Sequence, residues 1–204
     1  MRILVIRHAE AVPPALPLLE DPPLSLAGRA QAARLVGFLR RRKLDRVVCS
    51  PMRRAVETAT PAAKALGVPL VLEPDLVEIA MGALAPWGPE EQAEWAAITV
   101  CWQNGEFDVS CPGGESLEEV IARVSSAITR LVADTCEHGF ALVAHAVVNG
   151  VVLSTLCQDL RPALGRDLGH RHTGVWELEG VGAGFTVVSR DDTRHLEEPG
   201  PHRG

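Results

Sequence analysis

No C-x-x-C pair occurs in this chain, and its five cysteines (Cys49, Cys101, Cys111, Cys136, Cys157) are scattered and odd in number. A disulfide framework is therefore not expected, and a reducing cytoplasmic setting fits best. Basic excess is missing too: the net charge is −6. That excludes non-specific nucleic-acid binding as the main activity, which needs a basic balance or stripe. A small anionic substrate stays open, because a few focused cations attract one even in an acidic protein. No apolar stretch approaches the length of a membrane span. The run from Ile3 to Ile6 is too short for a signal-peptide core and is interrupted at Arg7. Internal repeats are absent. The glycines of GVGAGF lack the strand-before, helix-after context of a dinucleotide loop and read as a hairpin turn.

What is present is a core. The 204 residues are 47% hydrophobic and 23% charged, a globular composition of about one domain's length. RILVIR (2–7), DRVVCS (45–50), PLVLEP (69–74) and FALVA (140–144) read as short buried strands. Between them lie helical stretches. Ser25 caps LAGRAQAARLVGFLRRR, whose basic end suits the helix dipole. PMRRAVETA starts a second helix with Pro51 in its first turn, and Pro61 should kink or end it. PEEQAEWAAITVCWQ is a third. Ser116 and Glu119 have capping-box spacing and open a long amphipathic fourth helix. Residues 146–157 form a fifth. TGVWELE and GFTVVS (173–179, 184–189) read as a late strand pair, and the polar tail from Asp191, with Pro199 and Pro201, as disordered. The alternation predicts a three-layer α/β/α fold: a mostly parallel central sheet with helices on both faces. Residues 1–190 would form one domain, with 80–115 as an inserted lid-like segment.

In such sheets ligands bind outside the carboxyl ends of the strands. Three of the early strands end in reactive groups there. The first ends at Arg7-His8, the second at Ser50 before Arg53 and Arg54, and the fourth at His145. Two histidines and up to three arginines around one crevice make an anion site. Phosphate is the obvious tetrahedral anion, because guanidinium offers forked donors to its oxygens. A neutral histidine can attack phosphorus, provided that its other ring nitrogen fixes the tautomer. Glu78, just after the third strand, is the candidate proton donor if burial raises its pKa. Singly, each signal has a blander reading: a strand-end histidine in the core, Arg53-Arg54 as a solvated helix face, Glu78 as a surface carboxylate.

Together the motifs resemble the histidine phosphatase superfamily, in its phosphoglycerate-mutase-like branch. The family's R-H-G-E stands here as RHAE (7–10), and its D-x-P-L-T-x-x-G-x-x-Q-A as DPPLSLAGRAQA (21–32). S-P-L-x-R-A-x-Q-T-A stands as SPMRRAVETA (50–59), which selects Arg54 over Arg53. L-x-E before a glycine stands as LVEIAMG (76–82), P-G-G-E-S is intact at 112–116 with Arg123 at helical spacing, and the second-histidine strand is ALVAHAVV (141–148). The resemblance covers about residues 2 to 190. It implies His8 as the phosphorylated nucleophile, Arg7, Arg54 and His145 as the phosphate pocket, and Glu78 as proton donor and acceptor. It also implies a metal-independent phosphomonoester hydrolase with no cofactor, acting on a small phosphorylated metabolite. Neither nucleic acid nor membrane is expected as a partner, and a homodimer stays open.

The departures shape the expectation. The glycine after each histidine is alanine here, at Ala9 and Ala146. Alanine would cost about 1 kcal/mol or more at a positive φ, so ordinary backbone angles and a slightly narrower pocket are expected. The acid segment continues as ALAPWG (83–88) without the family's glutamate, and the proline-rich stretch between Glu10 and Asp21 lacks the asparagine of mutase-type members. Those differences favour a phosphatase over a mutase. A non-catalytic phosphate binder is a further alternative, which retention of all five catalytic positions disfavours. A zinc hydrolase using His170 and His172 is another, but the pair stands apart from any compact cysteine set and reads as a loop with ordinary polar histidines. Trp87, Trp95 and Trp102 cluster in the middle segment, as a lid or, for the latter two, as core packing.

Overall fold

Each short apolar run becomes a strand. The computed structural model describes residues 1–13, 21–84, 88–134, 137–163, 170–182 and 184–197. Its strands are β1 (Arg2–Arg7), β2 (Arg46–Cys49), β3 (Leu70–Leu72), β4 (Gly139–Ala144), β5 (Val175–Val181) and β6 (Gly184–Asp192). Its helices are α1 (Leu26–Leu39), α2 (Arg53–Leu66), α3 (Pro89–Gln103), α4 (Leu117–Ala133) and α5 (Ala146–Leu156). The strands form one sheet in the order β3-β2-β4-β1-β5-β6. β3, β2, β4 and β1 are parallel, whereas β5 runs antiparallel to β1, and β6 to β5.

Alternation along the strands splits the core in two, because successive side chains point to opposite faces. On one face, Ile3, Val5, Phe140 and Leu142 pack with Val120, Val124 and Ile128 of α4, Val148 and Val152 of α5, and Ile98 and Trp102 of α3. On the other, Leu4, Ile6, Ala141 and Val143 pack with Leu35 and Leu39 of α1 and the alanines Ala55, Ala59, Ala62 and Ala63 of α2. This is the expected helix–sheet–helix layering. Gly139 starts β4 at φ +126°, with its backbone so close to Arg2 that a Cβ would lie 1.8 Å from the Arg2 carbonyl oxygen. Only glycine allows the two central strands to begin side by side there.

Both helix caps read from the sequence are present. Ser25 accepts from Gly28 N, and Ser116 with Glu119 closes a capping box. Arg42, beyond the end of α1, turns back to donate to the Phe38 carbonyl at 2.9 Å. Three expectations need correction. Helix α2 begins at Arg53, because Met52 is extended (ψ 137°), so Pro51 precedes the helix and is not in its first turn. Pro61 does not end α2: it lies on the exposed side, while the buried alanine face holds the helix against the sheet through Leu66. The polar tail is ordered past Asp191. β6 runs to Asp192, whose carboxylate holds Arg194, and a short 3-10 turn (Arg194–Leu196) lies on α1, with Arg34 donating to the Leu196 carbonyl and His195 stacked near Phe38. Polarity misled the sequence reading there, because those residues are held by ion pairs and hydrogen bonds and not by apolar burial. Residues 198–204 lie outside the described residues. Among the described residues, no helix is long and apolar enough to cross a membrane.

Candidate active site

Parallel pairing brings the carboxyl ends of β1, β2 and β4 to one edge, where Arg7 lies opposite Ala144 and Cys49 opposite Val143. His8, Ser50 and His145 each follow one of these strands directly. The His8 and His145 rings stand 5.1 Å apart between centroids. His8 is 7% exposed and His145 fully buried.

Two contacts fix the His8 ring. Its Nδ1 lies 2.7 Å from the Ala9 carbonyl oxygen, and Arg54 Nε donates to its Nε2 at 3.2 Å. A carbonyl only accepts and this guanidinium N–H only donates, so the proton sits on Nδ1 and Nε2 carries the lone pair. Burial pushes the His8 pKa down to about 3, and the positive charges of Arg54 and Arg7 add to that. His145 Nε2 pairs with Ser50 Oγ at 2.9 Å, and its Nδ1 has no hydrogen-bond partner among the described residues. Burial, then Arg54, holds its pKa well below the ordinary histidine value. Both imidazoles are neutral at neutral pH.

Helical spacing separates the two candidate arginines. Arg53 is exposed and pairs with Glu57, while Arg54, one residue on, turns inward to His8 and lies 3.7 Å from Asp21. Arg7 anchors differently, donating from Nη1 to the His170 carbonyl at 2.7 Å.

Glu78 approaches from the loop after β3. Its carboxylate accepts from Ile79 N at 3.0 Å and from Val147 N, in the first turn of α5, at 3.4 Å. Burial nevertheless raises its pKa, outweighing those bonds and the nearby Arg54 charge. The P-G-G-E-S segment and Arg123 hold this loop. Arg123 Nη1 donates to the carbonyls of Asp75 (2.6 Å) and Val77 (2.8 Å), pairs with Glu115 at 2.8 Å, and Glu115 accepts from Ala80 N at 2.9 Å. The clamp thus grips the chain on both sides of Glu78.

The two alanines take ordinary backbone angles, since neither has a positive φ. The Ala9 side chain is fully buried against Leu24 and Ala32, so its methyl fills the seam under α1 and does not narrow the pocket, contrary to expectation. Its amide donates to Thr58 Oγ1 at 3.0 Å, tying the His8 loop to α2. Of the tryptophans, Trp102 is buried, donates to the Val109 carbonyl at 2.8 Å and meets Trp95 edge-on at 5.1 Å, which is core packing. Trp87 lies outside the described residues.

The sequence reading missed one neighbour. His172 stands with its ring centroid 5.6 Å from that of His8. Its place follows from topology: β5 is antiparallel to β1, with Val175 opposite Ile6, so residues just before β5 lie where β1 ends. Among the described residues, no three His, Cys, Asp or Glu side chains form a metal-binding group.

The chain's similarities agree with this geometry. The pattern described as "Histidine phosphatase superfamily (branch 1)" matches residues 3–193. Among curated proteins, the probable phosphoglycerate mutase GpmB of Yersinia enterocolitica is 28% identical over 98% of this chain and 96% of its own length. The corresponding protein of Enterobacter sp. (strain 638) is 26% identical over the same shares. Among solved structures, the mycobacterial glucosyl-3-phosphoglycerate phosphatase complexed with VO3 superposes with a TM-score of 0.78 at 23% identity, covering 93% of this chain and 98% of that one. The α-ribazole phosphatase of Shigella flexneri does so with a TM-score of 0.75 at 20% identity, covering 94% and 96%. At such identities the solved structures speak for the fold, and the family match over nearly the whole chain decides membership: this chain belongs to the histidine phosphatase superfamily, branch 1.

Proposed function

We propose that this protein hydrolyses a small phosphomonoester through a phosphohistidine on His8, without a metal ion. The observation that carries the reading is the His8 ring, buried and neutral, with its proton on Nδ1 and its Nε2 lone pair turned toward Arg54. In the first step Nε2 attacks phosphorus, the ester P–O bond breaks, and the protonated Glu78 carboxyl gives its proton to the departing alkoxide. The raised pKa of Glu78 suits that donor role. In the second step water attacks phosphorus, the Glu78 carboxylate takes a proton from it, and the P–N pair returns to Nε2 with release of inorganic phosphate. Arg7, Arg54 and His145 hold the phosphoryl oxygens, and the two guanidinium groups supply the positive charge for which other phosphoryl-transfer sites use Mg²⁺. The segment 80–115 closes over the substrate.

The names of the curated relatives motivate a second reading, in which the phosphate passes from His8 to a second acceptor as in a mutase. One experiment separates the two. A panel of phosphomonoesters, including both phosphoglycerates, is assayed in EDTA for inorganic phosphate and for isomerised product, with wild type and His8→Ala. Phosphate release by wild type alone, without isomerisation, is the expected result. Isomerisation favours the mutase, and equal activity in the two proteins refutes both.

A further inference from the structure

The His170-Arg171-His172 turn is mounted more rigidly than a surface loop requires. Arg7 grips both its ends: its Nη1 donates to the His170 carbonyl at 2.7 Å, and its own carbonyl accepts from Thr173 N at 3.0 Å. From the other side Asp191 accepts from Arg171 N at 3.0 Å and from Arg171 Nε at 2.7 Å. Thr173 (φ 54°) and Asp191 (φ 42°) are the non-glycine residues with positive φ among those described, and both belong to this mount. A β-branched residue such as threonine enters that region only under constraint, and such strain collects at functional sites. Gly174 completes the mount, because a Cβ there would lie 1.9 Å from Asp191 Oδ1.

The product of this construction is the position of one side chain. The half-buried His172 ring faces His8 and, with Arg7, lines a cleft of about 480 Å³ that Gln31, Arg171 and Thr193 also border. Among the described residues none hydrogen-bonds the His172 ring. Burial, then the Arg7 charge, lowers its pKa, so at neutral pH it is an uncharged ring with one N–H to donate.

We propose that His172 is a third imidazole of the phosphate site, donating an N–H to an oxygen of the phosphoryl group that His8 carries. This rests on the reading of His8 as the phosphorylated residue. Inorganic phosphate titrated into the full-length protein, with the imidazole ¹⁵N signals followed by NMR, tests it. Movement of the His172 signals together with those of His8 and His145 supports the proposal. A silent His172 beside responding His8 and His145 overturns it and leaves the reading of the site intact. If no imidazole responds, both fall. In steady-state assays, His172→Leu should lower kcat/KM and weaken phosphate inhibition about 10-fold or more, the scale of a hydrogen bond to a charged group, and His172→Gln should recover part of each. A His172→Leu protein indistinguishable from wild type overturns the proposal.

Discussion

One wall of the site consists of strand ends running straight into helices: β1 into the His8 loop, β2 into α2, β4 into α5. The other is a turn between residues 170 and 173, at the start of the antiparallel strand β5. The first wall is positioned by the sheet itself. Each reactive side chain sits one or two residues beyond a buried strand, so burial of Ile3 to Ile6 or of Phe140 to Ala144 fixes where His8 and His145 emerge. The second wall has no such support and is held by Arg7, Asp191, Gly174 and a strained Thr173. One site thus combines geometry inherited from a core with geometry maintained by polar bonds and strain. The first should resist perturbation and the second should yield to it.

Substitutions can break that contrast. The largest effect is expected at Arg54, which alone both fixes the His8 tautomer and faces the phosphate position. Arg54→Ala should reduce kcat/KM by about 10³-fold, the scale of removing a preorganised charge-stabilising donor, with the fold intact by circular dichroism. Arg123→Ala releases the Glu78 loop and should lower kcat by about 10- to 100-fold while KM changes little, because it displaces a proton donor and not a phosphate ligand. The two effects together test whether the first wall depends on a clamp of its own.

The pH dependence of stability follows from the same burial. His8 and His145 have depressed pKa values in the folded protein, that of His8 at about 3. Unfolded histidines bind protons near pH 6.5, so between about pH 6.5 and 3 the unfolded state holds more protons, and stability present above that window is lost as pH falls. Each such histidine contributes a slope of at most about 1.4 kcal/mol per pH unit. Urea midpoints measured from pH 7.5 to 4 should fall accordingly, and a midpoint independent of pH would contradict the burial described. Glu78 acts on the rate in the opposite limb: the first half-reaction should slow as pH rises through its raised pKa, which single-turnover measurements would register.

Smaller changes sharpen the comparison. Gly174→Ala forces the Asp191 carboxylate away from Arg171 and should cost about 1–3 kcal/mol, the range of an overpacked site, with activity falling in parallel because the His172 turn moves. Ser25→Ala removes a cap and should cost only about 1 kcal/mol, read as a shift in the thermal midpoint.

Much of the first wall was legible because its signals are local. An apolar run, a polar residue at its end and a following cap lie within ten residues of one another in RILVIRHAE and in FALVAHAVV. The choice of Arg54 over Arg53 was legible through the family pattern, and helical periodicity explains it. The continuation of α2 through Pro61 was not, because a proline's local cost is offset by a tertiary alanine face. Nor was the ordering of residues 191–197, since the groups that hold them, Arg34 and Phe38 of α1, lie far away in the chain.

By itself the sequence determined the strand–helix alternation, the caps at Ser25 and Ser116, and the emergence of Arg7-His8 and His145 from buried strands, all set by short-range sterics and apolar periodicity. Only the tertiary structure decided that the Ala9 methyl would fill the seam under α1, that Arg123 would grip the Glu78 loop, and that the His170-Arg171-His172 turn would return to the nucleophile. Each depends on which distant elements become neighbours. An antiparallel strand beside a parallel one delivers its beginning to the edge where the other ends, a relation fixed by strand order and direction that no local stretch of residues encodes.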